Sequence, residues 1–407
     1  MSEWLQTTLG RVLSSGGGKI QTGPFGSQLH ASDYVESGIP CIMPTNMHNN
    51  RVNVSGIAFI GDKDAQRLSH HLVQEGDIVY SRRGDVTQKA LIGKTEAGYF
   101  CGTGCLLVRP GNAIDPAFLT YHLSTPTNQG WIVKQAVGAT MPNLNTAILS
   151  AVPLSMPPLK ETQVKIATVL SALDAKIECN NRINVELEAM VKTLYDYWFV
   201  QFDFPDANGK PYKSSGGKMA YNATLKREIP VGWRDGTIGN LISLEYGKGL
   251  KAENRTGSGH PVIGSNGVVG YHSEYLVEGP GIVVGRKGTV GAITFIHTDF
   301  FPIDTTYYVK PISKIGFLYL KYLLSSLGLE KMNSDSAVPG LNREVALRIN
   351  TVLPPTTLIQ DFERRTAAVF SKLHILVQEN QQLAQLRDWL LPLLMNGQVT
   401  VAGRRPA

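Results

Sequence analysis

Nowhere do the 407 residues run to 18 consecutive apolar side chains, so no ordinary membrane-spanning helix is written into the chain. The opening Met1-Ser2-Glu3-Trp4 lacks the basic-then-apolar pattern of a secretory leader, and the expectation is a soluble, cytoplasmic protein with no membrane partner. Cysteine is scarce: Cys41, Cys101, Cys105 and Cys179 have no CxxC or Cys/His spacing suited to zinc, and they read as buried or neutral thiols. No metal site and no catalytic residue is expected. A Walker A loop is missing, which argues against an ATP-driven motor. The glycine-rich Gly285-Arg286-Lys287-Gly288-Thr289-Val290-Gly291 neither matches GxGxxG nor opens a helix. Both Pro-Pro pairs follow Met156 and Leu353, so the Asn/Asp-Pro-Pro-aromatic tetrapeptide of a DNA amino-methyltransferase is also lacking. His70-His71 and Asp33 make no defensible triad, and the histidines read as a surface pair.

What the chain does have is a copy of itself. Met141-Pro142-Asn143-Leu144-Asn145 returns as Val338-Pro339-Gly340-Leu341-Asn342, and Pro157-Pro158 returns as Pro354-Pro355. Both echoes fall at one offset, from 142 to 339 and from 157 to 354. Arg82-Arg83-Gly84-Asp85-Val86 is echoed more faintly by Arg286-Lys287-Gly288-Thr289-Val290. A length of 407 residues fits two cores, and each copy reads as a globular lobe followed by a long helix.

The first lobe is β-rich. Ile39–Met43, Asp77–Tyr80 and Cys105–Val108 are short apolar runs bounded by turn residues, and a helix is expected after Asp115-Pro116. From Lys160 the period changes to seven. Ile166, Leu173, Asn180, Leu187 and Leu194 form one series; Leu170, Ile177, Asn184, Val191 and Trp198 form the other. The second copy supplies Phe362, Val369, Leu376, Leu383 and Leu390, with Thr366, Leu373, Asn380, Arg387 and Leu394. Such helices, roughly 60 Å long, pack best on each other. The expectation is an antiparallel coiled coil with Asn180, Asn184 and Asn380 fixing register and with Asn184 and Asn380 near its centre; a wet helix edge is the alternative for these asparagines. Between the copies, residues 203–229 form a polar connector without periodicity. The second lobe holds strand-like runs at Gly281–Val284 and Ala292–Phe295 and a helix pattern at Phe317–Leu324; the last residues, with Arg404-Arg405, are expected to fray.

The net charge of +6 permits a polyanionic partner without requiring one. In each lobe a strand-like run leads into a basic, glycine-containing turn: Arg82-Arg83-Gly84 and Arg286-Lys287-Gly288. Arginine can clamp phosphate or bind guanine, and glycine lets the backbone come close. A solvated hairpin tip explains one such turn equally well; two at matching places favour function. Asn46 and Asn266 sit in polar turns, able to pair with adenine edges but equally ordinary as turn formers. The repeated turn carrying Asn143 and Asn342 either positions phosphate or joins the lobe to its helix. Lys89, Lys248 and Lys251 are weaker phosphate candidates.

Two lobes, each ended by a Pro-x-Leu-Asn turn and a Pro-Pro step into a long helix, resemble the specificity subunit of a type I restriction-modification system. Gly23-Pro24-Phe25-Gly26-Ser27-Gln28-Leu29 and the connector from Pro211-Tyr212-Lys213 to Pro230-Val231-Gly232-Trp233 resemble the same family, and the likeness covers essentially the whole chain. The resemblance implies a mixed α/β (α+β) fold of two β-rich target recognition domains joined by two long helices in an antiparallel coiled coil, with a pseudo-twofold repeat. The domains would be 1–158 and 230–355, the helices 159–202 and 356–397, the linker 203–229 and the tail 398–407. By the same resemblance the chain is not an enzyme. Each lobe reads one half of a bipartite double-stranded DNA target, and the helices set the spacing. Two modification subunits and restriction subunits dock on the chain, which itself binds no cofactor. S-adenosylmethionine, ATP and magnesium belong to those partners, which carry adenine-N6 methylation and ATP-dependent cleavage. A coiled-coil scaffold that reads no DNA and a degenerate methyltransferase-like protein are the alternatives.

Overall fold

The computed structural model describes residues 4–136, 142–312, 315–332 and 340–401. They fall into two compact units, Met1–Glu178 with Asn380–Ala407, and Cys179–Glu379. Met141, Val338, Pro339, Arg404 and Arg405 of the motifs above lie outside the described residues.

In the first unit the strand Ile78–Ser81, buried at all four positions, is the centre of a four-stranded antiparallel sheet. Its order is Lys19–Thr22, Cys105–Arg109, Ile78–Ser81, Lys89–Leu91. A second sheet places Ile39–Ile42 parallel to Phe100–Cys101 and antiparallel to Ala58–Ile60. Three expected strands are therefore present; Ile78–Ser81 is buried throughout, Cys105–Arg109 up to its last residue, and Ile39–Ile42 at Cys41 and Ile42. The expected helix spans Pro116–His122; the Asp115 carboxylate accepts the Phe118 amide at 2.8 Å, and proline occupies the first turn where no donor is needed. The core gathers Leu9, Tyr80, Leu106 and Phe118 with Ile166, Leu170, Leu391 and Leu394 of the long helices. Cys41, Cys101 and Cys105 are buried in this unit, and burial pushes the Cys41 thiol up to about 12.

The second unit repeats the plan. Its four-stranded sheet runs Ile242–Tyr246, Thr306–Pro311, Gly281–Gly285, Ile293–Ile296, the same succession of first, last, middle and hairpin strand. His260–Gly264 lies parallel to Phe301–Pro302, as Ile39–Ile42 does to Phe100–Cys101. Each lobe closes with its first strand against its last, Leu5–Thr8 with Pro153–Met156 and Arg234–Thr237 with Asn350–Leu353.

The long helices are Lys160–Tyr195, continued by one wider turn at Asp196–Val200, and Thr356–Met395. Along them the heptad positions Ile166, Leu170, Val191, Trp198, Phe362, Thr366, Leu373, Leu376 and Leu394 are buried. The packing is antiparallel in the second unit, where Asn180 pairs with Glu379 and Trp198, further along the first helix, with Phe362, nearer the start of the second. In the first unit Asp174 pairs with Arg387. The enclosed asparagine is Asn180, which is fully buried and donates to Glu379 Oε2 at 2.9 Å. Asn184 and Asn380 are half-buried instead.

The connector is more built than its composition suggests. The Asp203 carboxylate accepts the Ser214 amide and hydroxyl at 2.7 and 2.6 Å, and the Phe204 ring stacks on both Tyr212 and Trp233. Met219–Asn222 and Arg227–Pro230 then form a hairpin. His71 is buried against Phe100 rather than exposed, because it ends a short helical turn pointing into the lobe.

Candidate nucleic-acid interface

Each basic turn follows the central strand of its sheet. Gly84 and Gly288 hold φ of +76° and +78°, the left-handed region that glycine enters without strain. In the first lobe the Arg82 carbonyl accepts the Leu144 amide at 2.8 Å, and Arg83 bridges to Asn143. In the second the Arg286 carbonyl accepts the Leu341 amide at 2.9 Å, and Lys287 bridges to Gly340. Two motifs far apart in sequence, the basic turn and the Pro-x-Leu-Asn turn, therefore meet through the same backbone contact in both lobes.

An aromatic ring lies beneath each arginine. The Arg82 guanidinium sits 5.5 Å from the centre of the Phe25 ring, and that of Arg286 sits 5.2 Å from Tyr246 and 6.0 Å from Tyr307. Phe25 follows, and Tyr246 ends, the first strand of its sheet. Such stacking draws the cation over the ring's negative face and fixes its plane. Arg82 Nε and Arg286 Nε are both buried without a hydrogen-bond partner among the described residues, and so is Asn143 Oδ1. In the second lobe Arg343 adds a further guanidinium 5.4 Å from the Tyr246 ring, while Tyr307 donates to the Leu341 carbonyl at 3.0 Å. Burial, with Tyr246 beside it, pushes the Tyr307 hydroxyl up to about 12, so it keeps the proton it donates. Tyr246, Arg286, Lys287, Leu341, Asn342 and Arg343 line a groove of about 420 Å³. Glu344 is the acidic member of its wall and pairs with Arg343 at 3.1 Å.

The sequence candidates divide accordingly. Arg82, Arg83, Gly84 and Asn143 come together in one lobe, and Arg286, Lys287, Gly288 and Asn342 in the other. Asn342 also serves the fold: its Oδ1 accepts the Glu344 and Val345 amides at 2.9 and 3.2 Å, as Asn145 accepts that of Ile148 at 2.8 Å. Asn266 is exposed at a hairpin tip beside the second basic turn, where a Cβ on Gly288 would lie 3.1 Å from Ser265 Oγ. Lys248 is exposed and holds the Pro302 carbonyl through its amide; Lys251 is exposed and pairs with Glu253 at 3.7 Å. Two candidates stand apart. Asn46 is buried, with its amide group taken by the Met43 amide and the Asn53 carbonyl. Lys89 is 3% exposed, 5.7 Å from the Tyr80 ring, and burial pulls its ammonium down to about 7. Tyr246, Tyr307 and Arg343 were not singled out by sequence, and Phe25 entered only within the Gly23–Leu29 motif rather than as a partner of Arg82; the one signal for the others was their place at strand ends and beside Asn342.

The model of the type I restriction modification DNA specificity domain matches residues 15–189 and 230–372. The type I restriction enzyme HindI specificity subunit of Haemophilus influenzae is 23% identical over 420 residues, covering 83% of this chain and 89% of its own. The MjaIX specificity subunit of Methanocaldococcus jannaschii is 23% identical over 397 residues, covering 91% and 88%. Among solved structures, the type I restriction-modification S subunit from M. genitalium superposes with a TM-score of 0.56 at 19% identity, over 97% of this chain and 96% of that one.

Proposed function

The chain belongs to the type I restriction-modification DNA specificity family, and from that premise we propose that its two lobes read the two halves of a split DNA target. Specificity subunits are non-catalytic, and this chain supplies sequence recognition. The observation that carries the two-lobe reading is the twin site: in each lobe an arginine is held on an aromatic ring while its carbonyl is tied to the Pro-x-Leu-Asn turn. A guanidinium fixed in plane, with an unpartnered Nε, is suited to a DNA phosphate, which sets register before bases are read. The exposed Arg83 and Lys287 beside it add charge.

In this proposal the lobes within 1–158 and 230–355 are the target recognition domains. The helices within 159–202 and 356–397 set the distance between half-sites and dock two modification subunits, with restriction subunits completing the assembly. Exposed apolar side chains on the helices support docking: Val185, Met190 and Ile375 in one unit, Leu386 and Trp389 in the other. S-adenosylmethionine, ATP and magnesium would be held by those partners, where adenine methylation and ATP-dependent cleavage take place in the cytoplasm.

The test is to co-express the chain with its modification subunits and map methylated adenines across the host genome. A split motif of two defined blocks around a fixed gap is expected. An assembled complex that writes no such motif would leave the chain a scaffold.

A further inference from the structure

The antiparallel pair of the second lobe is built on the twin-site scaffold, but it turns in two residues where its counterpart in the first lobe does not. His260–Gly264 and Gly267–His272 form a two-stranded ribbon turned by Ser265-Asn266. The corresponding strand of the first lobe, Ile39–Ile42, is instead separated from its antiparallel neighbour Ala58–Ile60 by a long excursion with a small pair of its own, Met47–His48 with Arg51–Val52. The lobes thus share a frame and differ at one corner, where two half-sites of different sequence would be told apart.

That corner adjoins the basic turn. The ribbon's inner strand is tied to the segment after Phe301–Pro302, where the Ile303 amide donates to the Ile263 carbonyl at 2.9 Å. Two residues on, the Thr305 carbonyl accepts the amides of Arg286 and Lys287 at 2.9 and 3.0 Å. The ribbon's outer strand is an edge, yet it exposes Val268 at 54%, Val269 at 41% and Tyr271 at 39%. An apolar edge is a liability unless something covers it. Val269 is an extra residue in the register, since Val262 faces Gly270 and Ile263 faces Val268. Arg255 holds this bulge through Nη1 to the Val269 carbonyl at 2.8 Å. Bulges re-aim side chains near functional sites.

We infer that the Ser265–Val269 tip enters the DNA major groove and reads an A·T-containing part of the second half-site, Asn266 at an adenine edge and Val268 against a thymine methyl. A two-stranded ribbon fits that groove, an Asn amide matches adenine N6 and N7, and an apolar side chain matches the C5 methyl. Continuity with the cationic turn, rather than apolar exposure alone, selects DNA as the occupant. The inference rests on the two-lobe reading and assigns base readout to one lobe's tip.

The experiment uses the complex with modification subunits, whose wild-type motif is mapped first. The exposed double variant Asn266→Ala/Val268→Ala, checked for an unchanged melting temperature, should relax one block and leave the other block and the gap intact. In duplexes carrying uracil for thymine in that block, wild-type binding should fall about fourfold, the factor for one buried methyl group, and binding of Val268→Ala should not change. A double variant that writes the wild-type motif, or that relaxes both blocks alike, overturns the inference while the two-lobe reading stands. A wild-type complex that writes no split motif overturns both.

Discussion

Arg286 and Arg343 share one ring: their guanidinium carbons lie 5.2 and 5.4 Å from the centre of Tyr246. Two cations brought to one ring favour an anion between them; Glu344 pairs with Arg343 alone, and a phosphate is the anion that the proposed partner supplies to Arg286. Arg286→Ala and Arg82→Ala should each weaken DNA binding by the complex by about tenfold. Each should also lower the slope of log affinity against log salt by about one. Tyr246→Leu should give a smaller loss of the same kind, and Lys89→Met none, because Lys89 is enclosed. Unchanged affinity of both arginine variants across several salt concentrations would exclude the twin clamp.

Much of this was legible because it depends on period and repetition. Heptads exposed the long helices, short apolar runs bounded by turn residues the strands, and a common offset the two lobes. The twin site was half legible: Arg82 and Arg286 could be paired as equivalents, but Phe25 and Tyr246 reach them only through sheet pairing. Lys89 looked like a surface cation because charge in a sequence says nothing of the fold closing over it. Asn46 looked available because a turn former and a base reader carry the same amide.

Asn180 and Asn184 should respond oppositely to leucine. Asn180 is fully buried and bonded to Glu379, so Asn180→Leu removes that hydrogen bond from a half-buried carboxylate and should cost about 1 kcal/mol. Asn184 Oδ1 is buried without a hydrogen-bond partner among the described residues. Asn184→Leu removes that burden and should stabilise by about 1 kcal/mol. For units of this size each change corresponds to a melting shift of about 2–4 °C, downward and upward respectively. Calorimetry that moved both in the same direction would contradict this assignment.

Acid should weaken both units. Burial lowers His122 and His71 in the first to about 4, with His70 and Lys19 adding to the effect at His71. Burial, then His374 and Lys321, lowers His297 in the second to about 4. The unfolded chain takes up these protons near pH 6.5 and the folded one near 4, so between those values the unfolded state binds more protons. Stability should be full above pH 6.5 and decline as pH falls towards 4. His122→Gln should flatten part of that decline in urea titrations at stepped pH, whereas an undiminished slope would place the acid sensitivity elsewhere.

Asp174 joins the first lobe to both helices. Its Oδ2 accepts the Tyr121 hydroxyl at 2.5 Å and its Oδ1 accepts Arg387 Nη1 at 2.8 Å, with only 17% and 25% of the two charged side chains exposed. Removing one partner of a largely buried pair leaves the other's charge uncompensated, which costs more than the pair contributes. Arg387→Met should therefore destabilise the first unit by about 1–3 kcal/mol, and Asp174→Asn/Arg387→Met should recover part of the loss. The second unit, which contains neither residue, serves as the internal reference: hydrogen exchange should rise around Tyr121 and the 380–395 helical segment while the packing of Trp198 on Phe362 stays protected. Equal loss of protection in both units would mean that the pair acts on the whole chain rather than on its own lobe.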